Sequence, residues 1–597
     1  MCGISGILNF SKKKIENEIT IKKLVLAQHK RGPDSKGYWI SDDNKITLGH
    51  NRLSIIDLSE DANQPFLSRD GNYVIIFNGE IYNFQEVKNE LSKKNIFFKT
   101  SSDTEVIIEA YKYWGVEFIK LLRGMFAFCI FDKFKKKIIL ARDPFGIKPL
   151  YYTRYNNIFY FSSEIKALLK IKEIPYSISK AANSSYFLWG HIQEPYTLYN
   201  EIKSLKKGSL KIIDSVGNEK NINYASIKEV ILNTESKKIS NIKEANSLVK
   251  YELNKSLNYH TVSDVPLTLL LSSGIDSNVL LSSASMQEIK RLDALTLDFQ
   301  IKGSNNETEL SKKSTSQNKI HHITKKFLET EIVNEMENFF NSMDSPTSDG
   351  LNNFLISKEV KKNGKKVMIS GVGADEIFCG YPSFQRIPKI FQIFKFIPSL
   401  NIKNGSHMIK IMNKFKINPK FLGLFKYNNS YEKIFFLQRC LFMPEELNFF
   451  SNNKILNEGF EELNLFENLY KDVKEFKNDV SLLMYLEIEN YLCSRILRDS
   501  DWASMANSVE MRTPYVDWFF FKNILPIVKS KIVFEKKQLL DIYSKNLPNE
   551  LYRRKKTGFD IPYNKYYSFI SKNKKNFNKS QKNWAFLSMN KYLEINQ

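Results

Sequence analysis

The second residue of the chain, Cys2, is the first that could carry out chemistry. Removal of Met1, which is chemically reasonable before a small residue, would leave Cys2 with both a thiol and a free α-amine. A chain's own N-terminal amine can serve as the base that activates its side-chain nucleophile. Because an α-amine titrates near about 8 and a thiol near about 8.5, a modest shift is enough to form a thiolate near neutral pH. The sequence therefore predicts a nucleophilic cysteine.

A second set of candidate residues follows two short apolar segments in the other half of the chain. The segments at residues 267–271 and 367–369 run into the turns Ser272-Ser273-Gly274-Ile275-Asp276-Ser277 and Ser370-Gly371-Val372-Gly373-Ala374-Asp375. Helix-start N–H groups and serine hydroxyls form a cradle for pyrophosphate. Neither turn is a Walker A loop, since no Gly-Lys-Ser/Thr follows. Asp276 and Asp375 are hard oxygen ligands that suit Mg²⁺ bridging the phosphates.

The elements that must position these residues change character along the chain. In the first 170 or so residues, apolar strands end in turn residues, and Asn78-Gly79 is predicted as one such turn. We predict strands at 73–77, 126–131 and 137–141 and helices at 21–28 and 103–113. This pattern indicates an α+β layered domain.

Beyond residue 239 strand, glycine turn and helix alternate, which predicts a parallel sheet flanked by helices. Residues 382–479 are predicted to be mostly helical. We expect a first domain at residues 2–200, a polar and irregular linker at 201–238, a second domain at 239–570 and a basic, solvated tail at 571–597.

Composition limits the possible classes of protein. The chain has 597 residues, enough for two or three domains, and no apolar run approaches the ~20 residues of a membrane span. Its five scattered cysteines and lack of a signal-like N-terminus indicate a cytoplasmic protein. The net charge of +23 is spread over the whole chain, so we expect no specific nucleic-acid partner. Binding to another acidic surface stays open.

Several motifs follow Cys2-Gly3-Ile4 in a fixed order: Arg31-Gly32-Pro33-Asp34, Asn51-Arg52-Leu53-Ser54-Ile55, Asn78-Gly79-Glu80-Ile81-Tyr82-Asn83, Ser102-Asp103-Thr104-Glu105 and Ala141-Arg142-Asp143. Together they resemble the class II glutamine amidotransferase domain of the N-terminal-nucleophile hydrolases. The resemblance implies a four-layer α+β fold in which Cys2 releases ammonia from glutamine. Lys30 departs from the histidine that is usual in the family at that position.

The resemblance also implies roles that suit the chemistry of the residues. Arg52 can bind the glutamine α-carboxylate in bidentate fashion, and Glu80 and Asp103 suit its ammonium group. Asn78 and the Gly79 N–H would stabilise the oxyanion of the tetrahedral intermediate. The expected glutamine-binding residues are Arg52, Leu53, Ser54, Ile55, Ile56, Asn78, Gly79, Glu80 and Asp103.

The turn at 272–277 resembles the PP-loop of ATP pyrophosphatases, with Ser273 in place of a usual glycine. Motifs farther on, Leu497-Arg498-Asp499, Met511-Arg512-Thr513-Pro514 and Lys556-Thr557-Gly558-Phe559, extend a resemblance to the asparagine synthetase family. It implies an α/β PP-loop domain with added helices and Mg²⁺ ligands at Asp276 and Asp375, and it gives Lys537 a role toward charge in the second step. The expected ATP-binding residues are Leu270, Ser272, Gly274, Asp276, Ser277, Leu297, Ser370 and Gly371.

The resemblance thus implies a glutamine-hydrolysing ligase in which ATP adenylates aspartate and ammonia displaces AMP, with dimers possible as in other members. Ammonia would need a sealed interior passage, since water would protonate it. The acceptor stays open between aspartate and another carboxylate such as a uronic acid, because Val372 replaces a usual glutamate and Asp349-Gly350-Leu351-Asn352 resembles a branch found among polysaccharide enzymes. A phosphoribosyl amidotransferase or a non-catalytic binding protein fits the motifs less well.

Overall fold

A computed structural model describes residues 2–11, 16–234, 239, 241–298, 307–397, 405–415, 417–528, 530, 535–553 and 580–596. The strands are β1 Cys2–Asn9, β2 Ser35–Ile40, β3 Ile46–Arg52, β4 Phe66–Leu67, β5 Tyr73–Ile81, β6 Gly124–Asp132, β7 Lys137–Arg142, β8 Tyr151–Tyr155, β9 Ile158–Ser162, β10 Lys203–Ser204, β11 Ser209–Ile213, β12 Glu219–Asn223, β13 Leu267–Leu270, β14 Leu292–Asp298, β15 His322–Lys326, β16 Val367–Ile369 and β17 Glu510–Arg512.

The helices are α1 Asn17–Ala27, α2 Phe84–Ser92, α3 Asp103–Trp114, α4 Ile165–Leu168, α5 Lys180–Trp189, α6 Ile227–Asn233, α7 Ile242–His260, α8 Ile275–Met286, α9 Glu307–Asn318, α10 Glu329–Asn334, α11 Met336–Ser342, α12 Leu351–Lys362, α13 Ala374–Ile377, α14 Ser383–Phe394, α15 Gly405–Lys414, α16 Lys420–Lys426, α17 Tyr431–Arg439, α18 Asn453–Leu463, α19 Leu465–Val473, α20 Asp479–Glu487, α21 Arg498–Met505, α22 Trp518–Val528, α23 Gln538–Ile542, α24 Glu550–Arg553 and α25 Ser580–Asn596. A π-helix at Ile488–Leu497 joins α20 to α21, and 3₁₀ helices lie at His29–Arg31, Glu60–Ala62, Gly115–Leu121, Pro444–Phe449 and Ser544–Asn546.

Two antiparallel sheets of six strands form the centre of the N-terminal domain. Their strand orders are β10-β8-β9-β1-β3-β2 and β12-β11-β7-β6-β5-β4. Ile4 and Leu48 of the first sheet share a buried core with Ile76, Cys129 and Leu140 of the second. Helix α1 packs on β1 and β3, and α3 packs on β5. The result is the predicted four-layer α+β arrangement.

The predicted turn at Asn78-Gly79 is wrong, because β5 continues through both residues to Ile81. Gly79 pairs with Phe126 of β6. A Cβ atom at Gly79 would lie 2.1 Å from the carbonyl oxygen of Met125. The glycine therefore serves a close approach of two strands rather than a reversal of the chain.

The segment expected to be an irregular linker also differs from the prediction over the part that the structure describes. Strand β11 pairs with both β7 and β12 and so extends the second sheet. Lys211 of β11 is buried, pairs with Glu219 at 2.5 Å and lies over the ring of Tyr152. Because this lysine is buried against an aromatic ring and paired with a glutamate, the sequence does not show the alternation of polar and apolar residues that predicts a half-buried strand.

The second domain is built on a parallel sheet with the order β15-β14-β13-β16-β17, as the alternation of strands and helices predicts. The chain leaves β13 toward β14 on one side and later returns to place β16 on the other. The carboxyl ends of β13 and β16 are therefore neighbours at a topological switch point, where open α/β sheets bind ligands. The segment 382–479 is mostly helical, as predicted.

The tail expected to be solvated contains a docked helix, α25. Trp584 and Tyr592 are fully buried, and the Tyr592 hydroxyl donates a 3.1 Å hydrogen bond to the carbonyl of Asp344. Tyr186 of the N-terminal domain donates to the carbonyl of Ala585 at 2.7 Å. The apolar residues of α25 thus outweigh the lysines that precede it. Among the described helices, none is long and apolar enough to cross a membrane.

Candidate active site

Cys2 is buried at the first position of β1, where it pairs with Arg52 of β3. Its backbone nitrogen donates a 3.0 Å hydrogen bond to the Asn78 side-chain oxygen on β5 of the other sheet. Burial raises the pKa of the Cys2 thiol. The charge of the chain's N-terminus, the Leu53 backbone N–H and the Arg52 guanidinium act against that rise because they stabilise the thiolate. The first residue of β1 in one sheet and a residue of β5 in the other thus meet at the predicted nucleophile.

The side-chain nitrogen of Asn78 is buried and has no hydrogen-bond partner among the described residues. An unpaired buried amide costs about 1–3 kcal/mol, so the fold keeps this donor in place for a ligand atom. The oxygen of the same side chain accepts a hydrogen bond from the Cys2 nitrogen, so the Asn78 amide lies directly beside Cys2. This is the arrangement that an oxyanion donor requires.

Arg52 is held by several oxygen atoms of the loop that follows it. Its guanidinium donates to the Ser59 carbonyl at 2.7 Å and to the Asn63 side chain at 3.0 Å. Ser54 is fixed through its backbone N–H, which donates to Asp34 at 2.7 Å. The loop formed by Leu53, Ser54, Ile55 and Ile56 is therefore a fixed wall beside Cys2. Leu53, Ile55 and Ile56 are buried in it.

Two buried carboxyl groups, Glu80 and Asp103, lie on the other side of the N-terminal site. The Asp103 carboxyl accepts the Ile81 backbone N–H at 3.0 Å, and burial raises its pKa to about 6. Burial, followed by the nearby Glu510 carboxylate, raises the pKa of Glu80 well above its usual range. Arg512 of β17 approaches Glu80 at 3.6 Å. The N-terminal site is therefore bordered by the edge strand of the second domain.

A cleft of about 310 Å³ opens at the carboxyl ends of β13 and β16. All eight residues that the sequence assigns to ATP line it, together with Asp375: Leu270, Ser272, Gly274, Asp276, Ser277, Leu297, Ser370 and Gly371. The turn after β13 is held by internal bonds, since the Ser272 N–H donates to the Ser277 hydroxyl at 3.1 Å and the Asn278 amide donates to the Gly274 carbonyl at 2.7 Å. A Cβ atom at Gly371 would lie 2.9 Å from the Asp276 Cβ, so this glycine allows the two loops to meet.

Lys536 joins the two aspartates of the cleft, whereas the adjacent Lys537 is the lysine predicted to act on charge that develops in the second step. The Lys536 ammonium lies 2.7 Å from Asp276 and 2.5 Å from Asp375, whereas Lys537 is exposed. The loop before α23 presents only one of two adjacent lysines to the cleft. The role of Lys537 in the second step stays a prediction.

Other residues that line the cleft were not predicted from the sequence: Asn352, Asn353, Ile356, Glu376, Tyr381 and Ile496. Glu376 is buried, accepts the Tyr381 hydroxyl at 2.8 Å and has its pKa raised to about 7 by burial and by Asp375. Val372 also lines the cleft. Of the motifs found in the sequence, the one at 349–352 indicated the side of the cleft that contains Asn352, Asn353 and Ile356. The motif at 556–559 lies outside the described residues.

The residues of the cleft fit a magnesium ion that is held mainly by a phosphate ligand. The oxygens of Asp276 and Asp375 converge on one ammonium group, so a divalent cation could bridge them. No cluster of three or more His, Cys, Asp or Glu side chains with metal-site geometry is found in the described part of the chain. Mg²⁺ commonly takes one or two carboxylates and completes its shell with water and substrate phosphates.

Buried ion pairs connect the two domains close to Cys2. The Arg31 side chain donates to the Cys2 carbonyl at 3.0 Å and to Asp501 of α21 at 2.8 Å. Lys148 also approaches Asp501, at 3.3 Å. A small cavity of about 10 Å³ lies beside Arg31 and Asp501 and is lined in part by Ser163. Helix α21 continues from the π-helix whose Ile496 lines the cleft, so one run of helix joins the two sites.

Comparisons with known proteins agree with this two-site arrangement. Residues 1–225 match the glutamine amidotransferase domain family, and residues 248–582 match the asparagine synthase family. Asparagine synthetase (glutamine-hydrolyzing) 1 of Bacillus subtilis is 33% identical over 580 residues, or 94% of this chain and 87% of the relative. Putative asparagine synthetase (glutamine-hydrolyzing) 2 of Methanocaldococcus jannaschii is 35% identical over 403 residues, or 64% of this chain and 76% of the relative.

Proposed function

This chain belongs to the asparagine synthetase family, and from that premise we propose that it makes asparagine from aspartate, with nitrogen from glutamine and energy from ATP. The observation that supports the proposal is that one chain contains two preformed sites. Cys2 lies beside a free Asn78 amide in one domain, and a phosphate-type cleft lies at the switch point of the other. The names of the relatives favour aspartate over a uronic acid as the acceptor.

In the first half-reaction the Cys2 thiolate attacks the δ-carbonyl carbon of glutamine. The oxyanion that forms would accept hydrogen bonds from the Asn78 side-chain nitrogen and the Gly79 N–H. Collapse of this intermediate, with a proton delivered to the amide nitrogen by the α-ammonium of Cys2, expels ammonia and leaves a glutamyl thioester. Water then hydrolyses the thioester to glutamate and restores the thiol.

The same site would hold the substrate by its charged ends. Arg52 faces the α-carboxylate, and Asp103 with Glu80 receives the α-ammonium. The loop from Leu53 to Ile56 would close the side of the pocket. This orientation would place the δ-amide at Cys2, because Arg52 and Glu80 lie on strands and Asp103 begins helix α3, so that regular elements bind the charged ends.

In the second half-reaction the β-carboxylate of aspartate attacks the α-phosphorus of ATP and releases pyrophosphate. The loops at 272–277 and 370–375 would cradle the phosphates. Mg²⁺ held by Asp276 and Asp375 would neutralise charge on the pyrophosphate as it leaves. With Asp276 and Asp375 engaged by the metal, Lys536 would be available to pair with phosphate oxygens. Ammonia then attacks the activated carboxyl carbon, and AMP leaves.

The test of this proposal measures pyrophosphate release with ATP, Mg²⁺, glutamine and aspartate, repeated without aspartate. We expect release that requires aspartate. The Cys2→Ala protein should lose release with glutamine but keep it when ammonium is supplied. Intact glutamine hydrolysis without aspartate-dependent pyrophosphate release would reject aspartate as the acceptor, and a series of other carboxylates, including glucuronate, would then be tried in the same assay.

A further inference from the structure

Helices α14, α15 and α16, and the residues that directly follow α14 and α15, expose large apolar side chains to solvent. The exposed fractions of Phe396, Phe415 and Phe421 are 83%, 68% and 60%. Ile393, Ile411 and Phe425 are exposed as well. We call these six residues the apolar patch. A cluster of this kind usually marks a surface that binds a partner.

The helices of the apolar patch lie against one another on one part of the surface. The rings of Phe394, at the end of α14, and Phe425, in α16, meet edge to face with their centroids 5.7 Å apart. Both α15 and α16 reach the 3₁₀ helix Pro444–Phe449. Lys410 of α15 lies over the Phe449 ring at 5.6 Å, and Lys426 of α16 pairs with Glu445. The apolar side chains therefore belong to one continuous region.

The charge of this region has a single sign. Between Glu376 and Glu432 the sequence contains no Asp or Glu, but it contains nine basic residues: Arg386, Lys389, Lys395, Lys403, Lys410, Lys414, Lys416, Lys420 and Lys426. Arg386, Lys389, Lys395, Lys410 and Lys414 are exposed. Glu445, in the neighbouring 3₁₀ helix, pairs with Lys426, and Asp479 accepts the Tyr431 hydroxyl at 2.6 Å.

Each helix also has an inner face that fixes its orientation. Phe384 and Ile387 of α14 and Ile409 of α15 are buried, while Ile393 and Ile411 of the same helices are exposed, as are Phe396 and Phe415, which follow the two helices. The exposed Phe and Ile residues are therefore not part of the protein's own core. Amphipathic helices with Phe or Leu beside Lys and Arg bind at the interface of anionic membranes, where apolar burial and electrostatic attraction add.

We propose that the apolar patch and its lysines form a reversible docking surface for an anionic lipid bilayer. Charge complementarity selects this partner, because exposed apolar residues in a stretch of chain that contains cations and no acid match a layer of anionic headgroups over an apolar interior. Phe396 and Phe415 insert among the acyl chains near the headgroups, while Lys395 and Lys414, their neighbours in sequence, stay at the level of the lipid phosphates. The interaction requires no spanning helix and leaves both reaction sites unchanged.

The test is flotation of the full-length protein with phosphatidylcholine vesicles that contain or lack phosphatidylglycerol. We expect binding only to the phosphatidylglycerol vesicles and a decrease in binding as salt increases. The double variant Lys395→Glu/Phe396→Ser should reduce the partition coefficient by at least about tenfold, because one cation becomes an anion and one insertion is lost.

A matched control comes from the N-terminal domain, where Lys94 is exposed and Phe97 is 75% exposed. Lys94→Glu/Phe97→Ser makes the same changes in charge and apolarity outside the patch and should leave flotation within about twofold of the wild type. Both variants should retain ammonium-dependent AMP formation, which shows that they are folded.

Two outcomes would overturn the proposal. One is wild-type protein that does not float with anionic vesicles. If sedimentation then shows a dimer that Lys395→Glu/Phe396→Ser dissociates, the patch binds a second copy of this chain instead. The other is flotation that both double variants reduce equally, which would assign binding to the diffuse charge of the chain.

Discussion

The two reaction sites of this chain differ in how completely the protein itself builds them. Cys2, Asn78 and Glu80 lie on paired strands, Asp103 begins a helix, and all four are at most 6% exposed. The residues of the second site lie mostly on loops that follow strands, around an open cleft. Two carboxylates converge there on a lysine ammonium. The first site is built on regular secondary structure, whereas the second has an arrangement of charge that a metal–nucleotide ligand would rearrange.

The difference follows from what each site must stabilise. The first handles one developing oxyanion, and fixed dipoles are enough for that. The second must separate a highly charged pyrophosphate from ATP, which requires mobile cations as well as fixed donors. Variants should therefore affect the two half-reactions separately.

The largest effect is expected for Asp375→Asn in the cleft. The side chain keeps its shape but loses the charge that would hold Mg²⁺, so aspartate-dependent AMP formation should fall by about 10³-fold. Glutamine hydrolysis should stay within about twofold of the wild type. The measurement is quantification of AMP and glutamate in parallel. A loss of both products would contradict the separation of the sites.

Asn78→Ala should have the opposite effect and impair glutamine hydrolysis alone. Removal of one oxyanion donor costs about 10²–10³ in kcat, so glutamine hydrolysis should decrease by that factor. AMP formation driven by added ammonium should not change, and this serves as the control for folding. If the ammonium-dependent reaction decreased as well, Asn78 would have a structural role that reaches the other domain.

Lys536→Ala and Lys537→Ala form a matched pair of adjacent lysines. Lys536 bridges Asp276 and Asp375, so its loss should reduce AMP formation by about 10²-fold. Lys537 is exposed, and its variant should change the rate by less than about twofold. Steady-state kinetics with ATP as the varied substrate compares them. An equal loss in the two variants would refute the assignment of Lys536.

The smallest effect expected is a pH dependence of the first site. Asp103 has a pKa of about 6, raised from its ordinary value by burial. Its neutral form increases as the pH falls through that value, and a neutral carboxyl cannot pair with the ammonium of glutamine. The kcat/KM for glutamine should fall by about tenfold per pH unit below 6, because this ratio reports the free enzyme.

The Asp103→Asn protein provides the control for that pH profile. It should be less active throughout and should lack the decrease near pH 6. Persistence of the same decrease in Asp103→Asn would assign it to another group, with Glu80 as the next candidate.

The motifs and their order along the chain made it possible to predict which residues form the two sites, but not which other residues surround them. The motifs indicated Cys2 and the two glycine turns because nucleophiles and phosphate cradles need particular residue types. That β13 and β16 are neighbours follows from sheet topology and could be expected only from the resemblance. The choice of Lys536 over Lys537 depends on loop geometry, for which two identical neighbours give no signal.

Burial of charged residues explains the remaining differences from the predictions. The strand that contains Lys211 was predicted as part of a linker, because the sequence alone does not distinguish a buried, paired lysine from a solvated one. Lys582 is buried and pairs with Glu446 within a segment that was expected to be solvated. Both pairings join residues far apart in the chain or across a sheet, so a pattern of neighbours cannot reveal them.

One measurement tests the central claim, that ammonia made at Cys2 is used in the second cleft. Glutamine labelled with ¹⁵N in its amide group is supplied with aspartate, ATP, Mg²⁺ and an excess of unlabelled ammonium, and the asparagine is analysed by mass spectrometry. We predict that most of the asparagine carries ¹⁵N and that the label disappears in Cys2→Ala while unlabelled asparagine remains. Asparagine whose label only matches the free ammonium pool, or no asparagine despite glutamine hydrolysis, would contradict the account.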